Sequence, residues 1–317
     1  MSEKIKVYFM GSGKIAVPVL KALMDAPQIE LQGVTTQIDQ RAGRKKRLTP
    51  TPVGAFAAKN GIDVVKAPCV NDGDYLCMLK VFEPDFIVVV SFGQILRQAL
   101  LDIPEKCCLN VHASILPLYR GASPIAAAIL NRDHKTGVTL MQMEKGLDTG
   151  DIYRIVEMEL SDTENADELE LELGRLAAES IADSIADIHS GVCRPVPQDN
   201  ERASLTRKIK KCDCIIDWDK SAEHLDAMVR AFHPWPGTSF IFKSKKDELK
   251  INVTAAEVVN MEGAAGEVLQ ADKKALIVGC GKKALKLKQL IPQGKKEMSG
   301  SAFLNGHRLE KGAILGN

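Results

Sequence analysis

The chain has 317 residues, of which 45% are hydrophobic and 26% charged, with 42 Lys and Arg against 41 Asp and Glu. This length allows two domains, because single hydrophobic cores stop growing near ~250 residues, and the composition is that of an ordinary globular protein. The sequence contains no run of eighteen apolar residues, which excludes a membrane-spanning helix. The start, MSEKIKVYFMGSG, has neither a signal nor a transit pattern, so we expect a cytoplasmic protein.

The nearly neutral total charge hides an asymmetry. Residues 207–317 contain 20 Lys and Arg against 13 Asp and Glu, a net charge of +7, and the preceding part carries −6. A basic second half favours a polyanionic partner, although a Lys-rich surface that only solubilises the chain is an equal alternative. The eight cysteines do not have zinc-site spacing, since C-x-C at 212–214 has no second pair. We therefore expect reduced, buried thiols and no metal.

The predicted elements of the first part alternate between strands and helices. In chain order they are a strand over 4–10, a Gly-Ser-Gly turn, a helix to Met24, a strand ending at Thr36, a helix after Thr51, a strand over 62–66, a helix capped by Asn71, a strand over 85–90, a helix from about Gln94, a strand over 107–112, a helix in 122–131, strands over 138–143 and 151–160, and a helix over about 164–189. This alternation predicts an α/β fold, a Rossmann-like domain with a mainly parallel sheet, over residues 1–190.

The remaining sequence predicts a different architecture. Residues 191–206, which contain two prolines, are interpreted as a linker. After a helical patch at 219–232, residues 207–317 consist of short strand patterns separated by Gly and Lys, which predicts a small, OB-like β-barrel domain. Phe232 and Trp235 are interpreted as interdomain core rather than as a platform for RNA.

The stretch NVHASILPLYRGASPI (110–125) contains the main candidate site. Side chains alternate along a strand, so Asn110 and His112 lie on one face at the strand's C-terminal end, with Val111 on the other. Ligands of open α/β sheets bind at such ends. A lone His usually satisfies only a backbone group, but an amide and an imidazole before a Pro/Gly loop favour a functional pair.

The run GSGKIA (11–16) raises an alternative, because G-x-G-x-x-A after a strand is typical of dinucleotide sites. Such a site needs an acidic residue at the end of the second strand, where this chain has Thr35 and Thr36. The Walker pattern also fails in its spacing. We therefore interpret the run as a tight turn into a helix.

The turn GLDTGD (146–151) places Asp148 between glycines, which alone indicates an ordinary turn. Strand ends of one sheet lie side by side, so Asp148 can join Asn110 and His112. An amide, an imidazole and a carboxylate in one cleft suit acyl transfer, with donors for an oxyanion and a carboxylate that holds the imidazole. Since the sequence has no G-x-S-x-G elbow, direct acyl transfer to an amine is favoured.

With these motifs the sequence resembles the folate-dependent formyltransferase superfamily, whose members move the formyl group of 10-formyltetrahydrofolate to an amine. The stretches IDWDKSAEHLDAMVRAFHPWPGTSF (216–240) and PQGKKEMSGSAFLNGHRL (292–309) are similar to those of members that act on methionyl initiator tRNA. The resemblance covers essentially the whole chain. It implies a monomeric enzyme of translation initiation that uses 10-formyltetrahydrofolate as formyl donor, initiator methionyl-tRNA as acceptor, and neither metal nor membrane.

The resemblance also implies residue roles. Asn110 and protonated His112 would stabilise the tetrahedral oxyanion, and Asp148 would pair with His112 and assist proton removal from the amine. The implied folate contacts are a loop and a stretch that lines the pterin pocket, namely Ser114, Ile115, Leu116 and Pro117, and Gly93, Gln94, Ile95 and Leu96. Rivals within the fold are a sugar-nucleotide formyltransferase and a formyltetrahydrofolate hydrolase, and a rival outside it is a non-catalytic tRNA-binding protein.

Residues 37–49 match the inserted loop that enters the acceptor arm of initiator tRNA in this family, with Arg44 at its key arginine. The loop has five basic residues in seven, which suits phosphates, although a merely solvated loop is the alternative. These expected tRNA contacts are Arg41, Arg44, Lys45, Lys46 and Arg47. Further candidates in the second half are Lys282, Lys283, Lys286, Lys288, Lys295 and Lys296.

Overall fold

The structure is a computed structural model that describes residues 3–42, 47–243 and 248–316. Its contacts divide the chain into two compact units. The first comprises Met1–Pro124, Lys135–Glu159 and Glu170–Thr206, and the second comprises Ile125–His134, Leu160–Leu169 and Arg207–Asn317. The domain limits of the sequence analysis, including the linker over 191–206, stay a prediction.

The described strands and helices follow one another as the alternating pattern predicts for the first part of the chain. The strands are β1 (Ile5–Gly11), β2 (Ile29–Thr36), β3 (Gln40–Ala42), β4 (Arg47–Thr49), β5 (Val64–Lys66), β6 (Phe86–Val90), β7 (Cys107–His112), β8 (Arg120–Gly121), β9 (Lys135–Gln142), β10 (Ile152–Glu159), β11 (Leu205–Thr206), β12 (Thr238–Lys243), β13 (Glu248–Val259), β14 (Val268–Ala271), β15 (Leu276–Gly279), β16 (Ala284–Pro292) and β17 (Met298–Ser299). The helices are α1 (Ala16–Asp25), α2 (Pro52–Lys59), α3 (Gly73–Lys80), α4 (Gln98–Leu101), α5 (Pro124–Asn131), α6 (Ala166–His189), α7 (Ala222–Ala231) and α8 (Gly300–Gly306), with short 3-10 turns at Asn200–Arg202 and Lys211–Cys214.

The first unit contains a seven-stranded sheet in the order β10-β9-β7-β6-β1-β2-β5. The strands from β7 to β5 pair in parallel, whereas β9 is antiparallel to both β7 and β10. Every residue of β6 is buried, as expected for a parallel strand covered on both faces. The predicted Rossmann-like, mainly parallel sheet is confirmed, and the strands predicted over 138–143 and 151–160 are β9 and β10, which pair antiparallel.

Two helix boundaries test the local signals. Thr51 caps α2, because its hydroxyl accepts the N–H of Gly54 at 2.9 Å. The predicted Asn71 cap of α3 is wrong, since Asp72 accepts the N–H of Asp74, whereas the Asn71 amide donates to the carbonyl of Ile95. The predicted helix from Gln94 is also wrong, because α4 begins at Gln98 and the residues before it form loop structure.

The second unit contains an antiparallel sheet in the order β12-β13-β16-β15-β14, with β17 paired to β16. Register shifts near Val253 and Ala255 bend the long strand β13, since bulges curve a sheet. The predicted barrel-like antiparallel domain is confirmed as a curled sheet. The all-strand pattern missed α8, whose first turn is capped by Ser299 through the N–H of Ala302.

Two expectations about burial are wrong in part. Trp235 is 69% exposed, so only Phe232 of that aromatic pair belongs to a core. Cys69, Cys77 and Cys212 are exposed, whereas four of the other free cysteines are buried and Cys193 is half-buried. Burial raises the pKa of the thiols of Cys107 and Cys214 to about 11.

Within the described ranges, no helix has the length and apolarity to cross a membrane, and no cluster of His, Cys, Asp and Glu could hold a metal ion.

Candidate active site

The C-terminal end of β7 carries the first two residues of the site. β7 lies between β6 and β9, so that Asn110 pairs with Val89 and Met141, and His112 pairs with Thr139. Strand alternation directs Asn110 and His112 to one face, and both side chains make contact with the same carboxylate, that of Asp148. The structure therefore brings together the three residues that the sequence predicts as a trio.

Asp148 lies in the turn that connects β9 to β10. Its backbone has a φ of +51°, in the left-handed region that few residues other than Gly adopt and that Asn and Asp tolerate best. The carboxylate Oδ2 accepts the backbone N–H of Gly121 at 2.7 Å, and Oδ1 accepts the amide of Asn110 at 3.4 Å. These bonds hold the carboxylate in a fixed position in front of His112.

The contacts of His112 define its tautomer. Nε2 lies 2.9 Å from the carbonyl oxygen of Tyr119, and because a carbonyl only accepts, Nε2 carries a proton. Nδ1 faces Oδ2 of Asp148 at 3.6 Å. The side chains of His112 and Asp148 are 7% and 17% exposed, so water and salt screen their interaction little.

Both ring nitrogens of His112 thus have protein partners, whereas Asn110 keeps one N–H. An amide nitrogen has two hydrogens, and only one of those of Asn110 is directed to Asp148. To donate to a substrate, His112 must exchange one of its partners. In the conformation of this structure, Asn110 is the side chain of the trio that can donate to an oxyanion without rearrangement.

The loop after β7 is held rigidly by its own polar groups. The Ser114 hydroxyl donates to the carbonyl of Leu118 at 2.6 Å, and Thr139 receives the N–H of Leu116 and donates to the carbonyl of Ser114. Ser114 and Leu116 are buried, whereas Ile115 and Pro117 are half-exposed. Of this predicted folate loop, Ile115 and Pro117 therefore offer side-chain surface to a ligand.

The second predicted folate stretch is organised in the same way. The Gln94 amide donates to the carbonyl of Ala67 at 2.9 Å and accepts the N–H of Val70 at 3.1 Å, so it supports the neighbouring chain. Leu96 is buried, but Ile95 is 83% exposed. Gly93 is exposed with a φ of +81°. The stretch thus offers a large apolar side chain and a bare backbone to the solvent.

The predicted tRNA contacts are only partly described. Arg41 and Arg47 lie exposed in the β3–β4 hairpin, whereas Arg44, Lys45 and Lys46 lie outside the described residues. In the second unit, three of the candidate lysines form ion pairs, Lys283 with Glu223, and Lys286 and Lys288 with Glu257. Lys282 and Lys296 are exposed.

The glycine turn of GSGKIA leads into α1, as interpreted from the sequence. The carboxylate of Glu170, from α6, accepts the N–H of Ile15 at 3.2 Å at the start of α1. Helix starts of this kind bind phosphate in dinucleotide sites. Here the chain's own carboxylate takes that position, where it would repel a phosphate.

Sequence reasoning missed the residues that hold the trio in place. Gly121 donates to Asp148, and Gln198, 50 residues beyond Asp148, donates to the carbonyls of Asp148 and Gly150 at 2.9 and 2.7 Å. The Arg-Gly pair at 120–121 was visible within the candidate stretch, but nothing in the local sequence connects it with Gln198. Only the folded chain brings these segments together.

A Rossmann-like sheet that brings an amide, an imidazole and a carboxylate together at one strand end suits enzymes that move an acyl group directly to an acceptor. The chain belongs to the formyl transferase family. The family profile described as "Formyl transferase" matches residues 3–184, and that described as "Formyl transferase, C-terminal domain" matches residues 208–308.

Curated relatives cover the full chain. It is 38% identical to the methionyl-tRNA formyltransferase of Methylacidiphilum infernorum over 98% of both chains, and 38% identical to that of Pseudomonas fluorescens strain Pf0-1 over 100% of this chain and 98% of the relative. Solved structures share the fold at lower identity. HypX from Aquifex aeolicus in complex with tetrahydrofolic acid has a TM-score of 0.64 at 16% identity, over 96% of this chain and 47% of HypX. The N-formyltransferase from Helicobacter canadensis has a TM-score of 0.63 at 17% identity, over 89% of this chain and 98% of that enzyme.

Proposed function

We propose that this protein transfers the formyl group of 10-formyltetrahydrofolate to the α-amino group of methionine on initiator tRNA. The observation that carries the proposal is identity of 36–38% to methionyl-tRNA formyltransferases across nearly the whole chain, including the second unit. Sugar formyltransferases share the fold at below 20% identity, so the fold alone does not choose the acceptor. The Asn110–His112–Asp148 cluster supports the chemistry.

In the proposed reaction, the methionine nitrogen attacks the formyl carbon, and a C–N bond forms as the carbonyl oxygen becomes an oxyanion. The free N–H of Asn110 donates to that oxyanion. Asp148 accepts the ammonium proton through water while it holds His112, and the cationic form of His112 balances the developing charge. The bond between the formyl carbon and N10 of the folate then breaks, and N10 takes up, through water, the proton that Asp148 had accepted, which returns Asp148 to its carboxylate form.

The proposed ligand contacts follow from exposure. Ile95, Ile115 and Pro117 are exposed or half-exposed and would contact the folate. Gln94, Ser114 and Leu116 would support these contacts, because their hydrogen bonds hold the two segments in place. Arg41 and Arg47, together with the basic residues between them, would contact the acceptor arm of the tRNA. We further propose that the protein acts in the cytoplasm. We also propose that it is a monomer, which light scattering of the purified protein tests.

The experiment compares formyl transfer from 10-formyltetrahydrofolate to methionyl initiator tRNA, to a dTDP-amino sugar and to water. We expect the tRNA to be the preferred acceptor by orders of magnitude, and His112→Ala to lose turnover while it keeps tRNA affinity. A faster reaction with the amino sugar or with water would favour the rivals within the fold. Salt-dependent tRNA binding by an inactive wild-type protein would favour the non-catalytic rival.

A further inference from the structure

Gln198 connects the turn that carries Asp148 to a buried arginine. Its Nε2 donates to the backbone carbonyls of Asp148 and Gly150, and its Oε1 accepts from Nε and Nη2 of Arg120 at 3.0 and 2.8 Å. Gln198 is 9% exposed and Arg120 is 6% exposed. A guanidinium that is held in this way fixes the orientation of the glutamine amide, and therefore the direction of its two N–H donors.

The arginine is in turn connected to the other side of the site. It precedes Gly121, whose N–H binds the Asp148 carboxylate, and β8 pairs in parallel with β11 from the segment before residue 207. Asn200 provides a second acceptor for Arg120, at 2.8 Å. The backbone and the carboxylate of Asp148 are thus both held by one continuous network.

This network coincides with a strained backbone. Asp tolerates a φ of +51° better than most residues, but this left-handed conformation still costs free energy that the surrounding bonds offset. The Gln198 bonds to the carbonyls of Asp148 and Gly150 hold the backbone at that position and two residues beyond it. Without them, the turn can relax toward ordinary geometry and carry the carboxylate away from His112.

We infer that Gln198, oriented by Arg120, is a positioning residue for the transfer reaction: it holds Asp148 in the left-handed conformation that places its carboxylate against His112. This inference rests on the proposed function. Misplacement of a catalytic group by about 1 Å costs on the order of a hundredfold in rate, so the effect is measurable in kcat.

The two ends of Gln198 allow a test that separates positioning from structural support. In Gln198→Glu, the carboxylate still accepts from Arg120 and forms an ion pair with it, but it has no N–H for the carbonyls of Asp148 and Gly150. We expect an unfolding midpoint within about 4 °C of the wild type. We expect kcat for formylation of methionyl initiator tRNA to fall about ten- to a hundredfold, with the KM values of both substrates within threefold.

Gln270→Glu is the matched control, because it makes the same change at a glutamine of the second unit whose amide donates to Asp272 at 3.0 Å and has no bond to Asp148, Arg120 or Gln198. We expect its kcat within twofold of the wild type, whatever its midpoint. A kcat of Gln198→Glu within threefold of the wild type overturns the inference. A fall in kcat that is explained by the fall in unfolding midpoint, in the same proportion in the test variant and in the control, also overturns it. If Gln198→Glu does not fold, Gln198→Met takes its place, and kcat is again expected to fall about ten- to a hundredfold while the KM values stay within threefold. Failure of both variants to fold overturns the positioning role.

A crystal structure of Gln198→Glu separates this inference from the proposed function. We expect Asp148 to leave its left-handed conformation and its carboxylate to move away from Nδ1 of His112. An unmoved carboxylate overturns the inference even if the wild-type enzyme formylates methionyl-tRNA. A wild-type protein that does not formylate methionyl-tRNA overturns the proposed function, whereas the crystal structure still decides whether Gln198 positions Asp148.

Discussion

Replacement of Asp148 by Asn tests the electrostatic contribution of the carboxylate with little change of shape. The amide has the same size, and Asn tolerates the left-handed backbone that this position requires. Its carbonyl can still accept the N–H of Gly121. What is lost is the negative charge that faces Nδ1 of His112 at 3.6 Å.

The size of the effect follows from that distance. Two unit charges 3.6 Å apart interact by about 5 kcal/mol at an effective dielectric constant near 20, and the low exposure of both groups limits screening. If the reaction depends on the cationic form of His112, the loss raises the barrier by up to that amount, which corresponds to ~10³-fold in rate. We therefore expect Asp148→Asn to reduce kcat by about a thousandfold and to leave tRNA affinity within a few-fold.

Single-turnover transfer of labelled formyl groups to methionyl initiator tRNA measures this rate without interference from product release. Filter binding of the tRNA and thermal unfolding serve as controls for affinity and fold. A variant that retains more than a tenth of the wild-type rate would refute the assignment of the negative charge to the chemical step. A variant that loses tRNA affinity in parallel would place Asp148 in binding instead.

Three further predictions concern other parts of the molecule. Gly121→Ala places a Cβ 2.5 Å from the carbonyl oxygen of Thr206, at a backbone φ of +101°. We therefore expect the free energy of unfolding to fall by about 1–3 kcal/mol in chemical denaturation, and kcat to fall as well. The control Gly73→Ala has open space around its Cβ, and we expect its free energy of unfolding to stay within about 0.5 kcal/mol of the wild type. Double replacement of Arg41 and Arg47 by Ala is expected to raise the KM for tRNA. A plot of log KM against the logarithm of the salt concentration should become less steep, by about 0.7–0.9 per lost phosphate contact. An unchanged slope contradicts the contact. Burial raises the pKa of the Cys107 and Cys280 thiols to about 11 and about 12, so at pH 8 a thiol reagent should react rapidly only with exposed cysteines, and rapid labelling of either buried thiol contradicts the described packing. The expected rapid sites are Cys69, Cys77 and Cys212.

Local patterns in the sequence were enough for several features. The strand predicted over 85–90 is present as the fully buried β6, and the helix predicted after Thr51 begins at Pro52. The placement of Asn110 and His112 on one face followed from the two-residue period of a strand alone. The cap of α3 was predicted at Asn71 but lies at Asp72, because either side chain can cap a helix and only its other contacts decide which one does.

The sequence by itself determined the alternation of strands and helices, the candidate trio and the family, because these depend on spacing and on motifs that are continuous in the chain. Tertiary structure decided which distant segments meet: Asp148 with His112, and Gln198 with Asp148 and Arg120. The physical reason is that such meetings depend on strand order and on the path of loops, which hydrogen bonds between residues 50 and 78 positions apart hold in place.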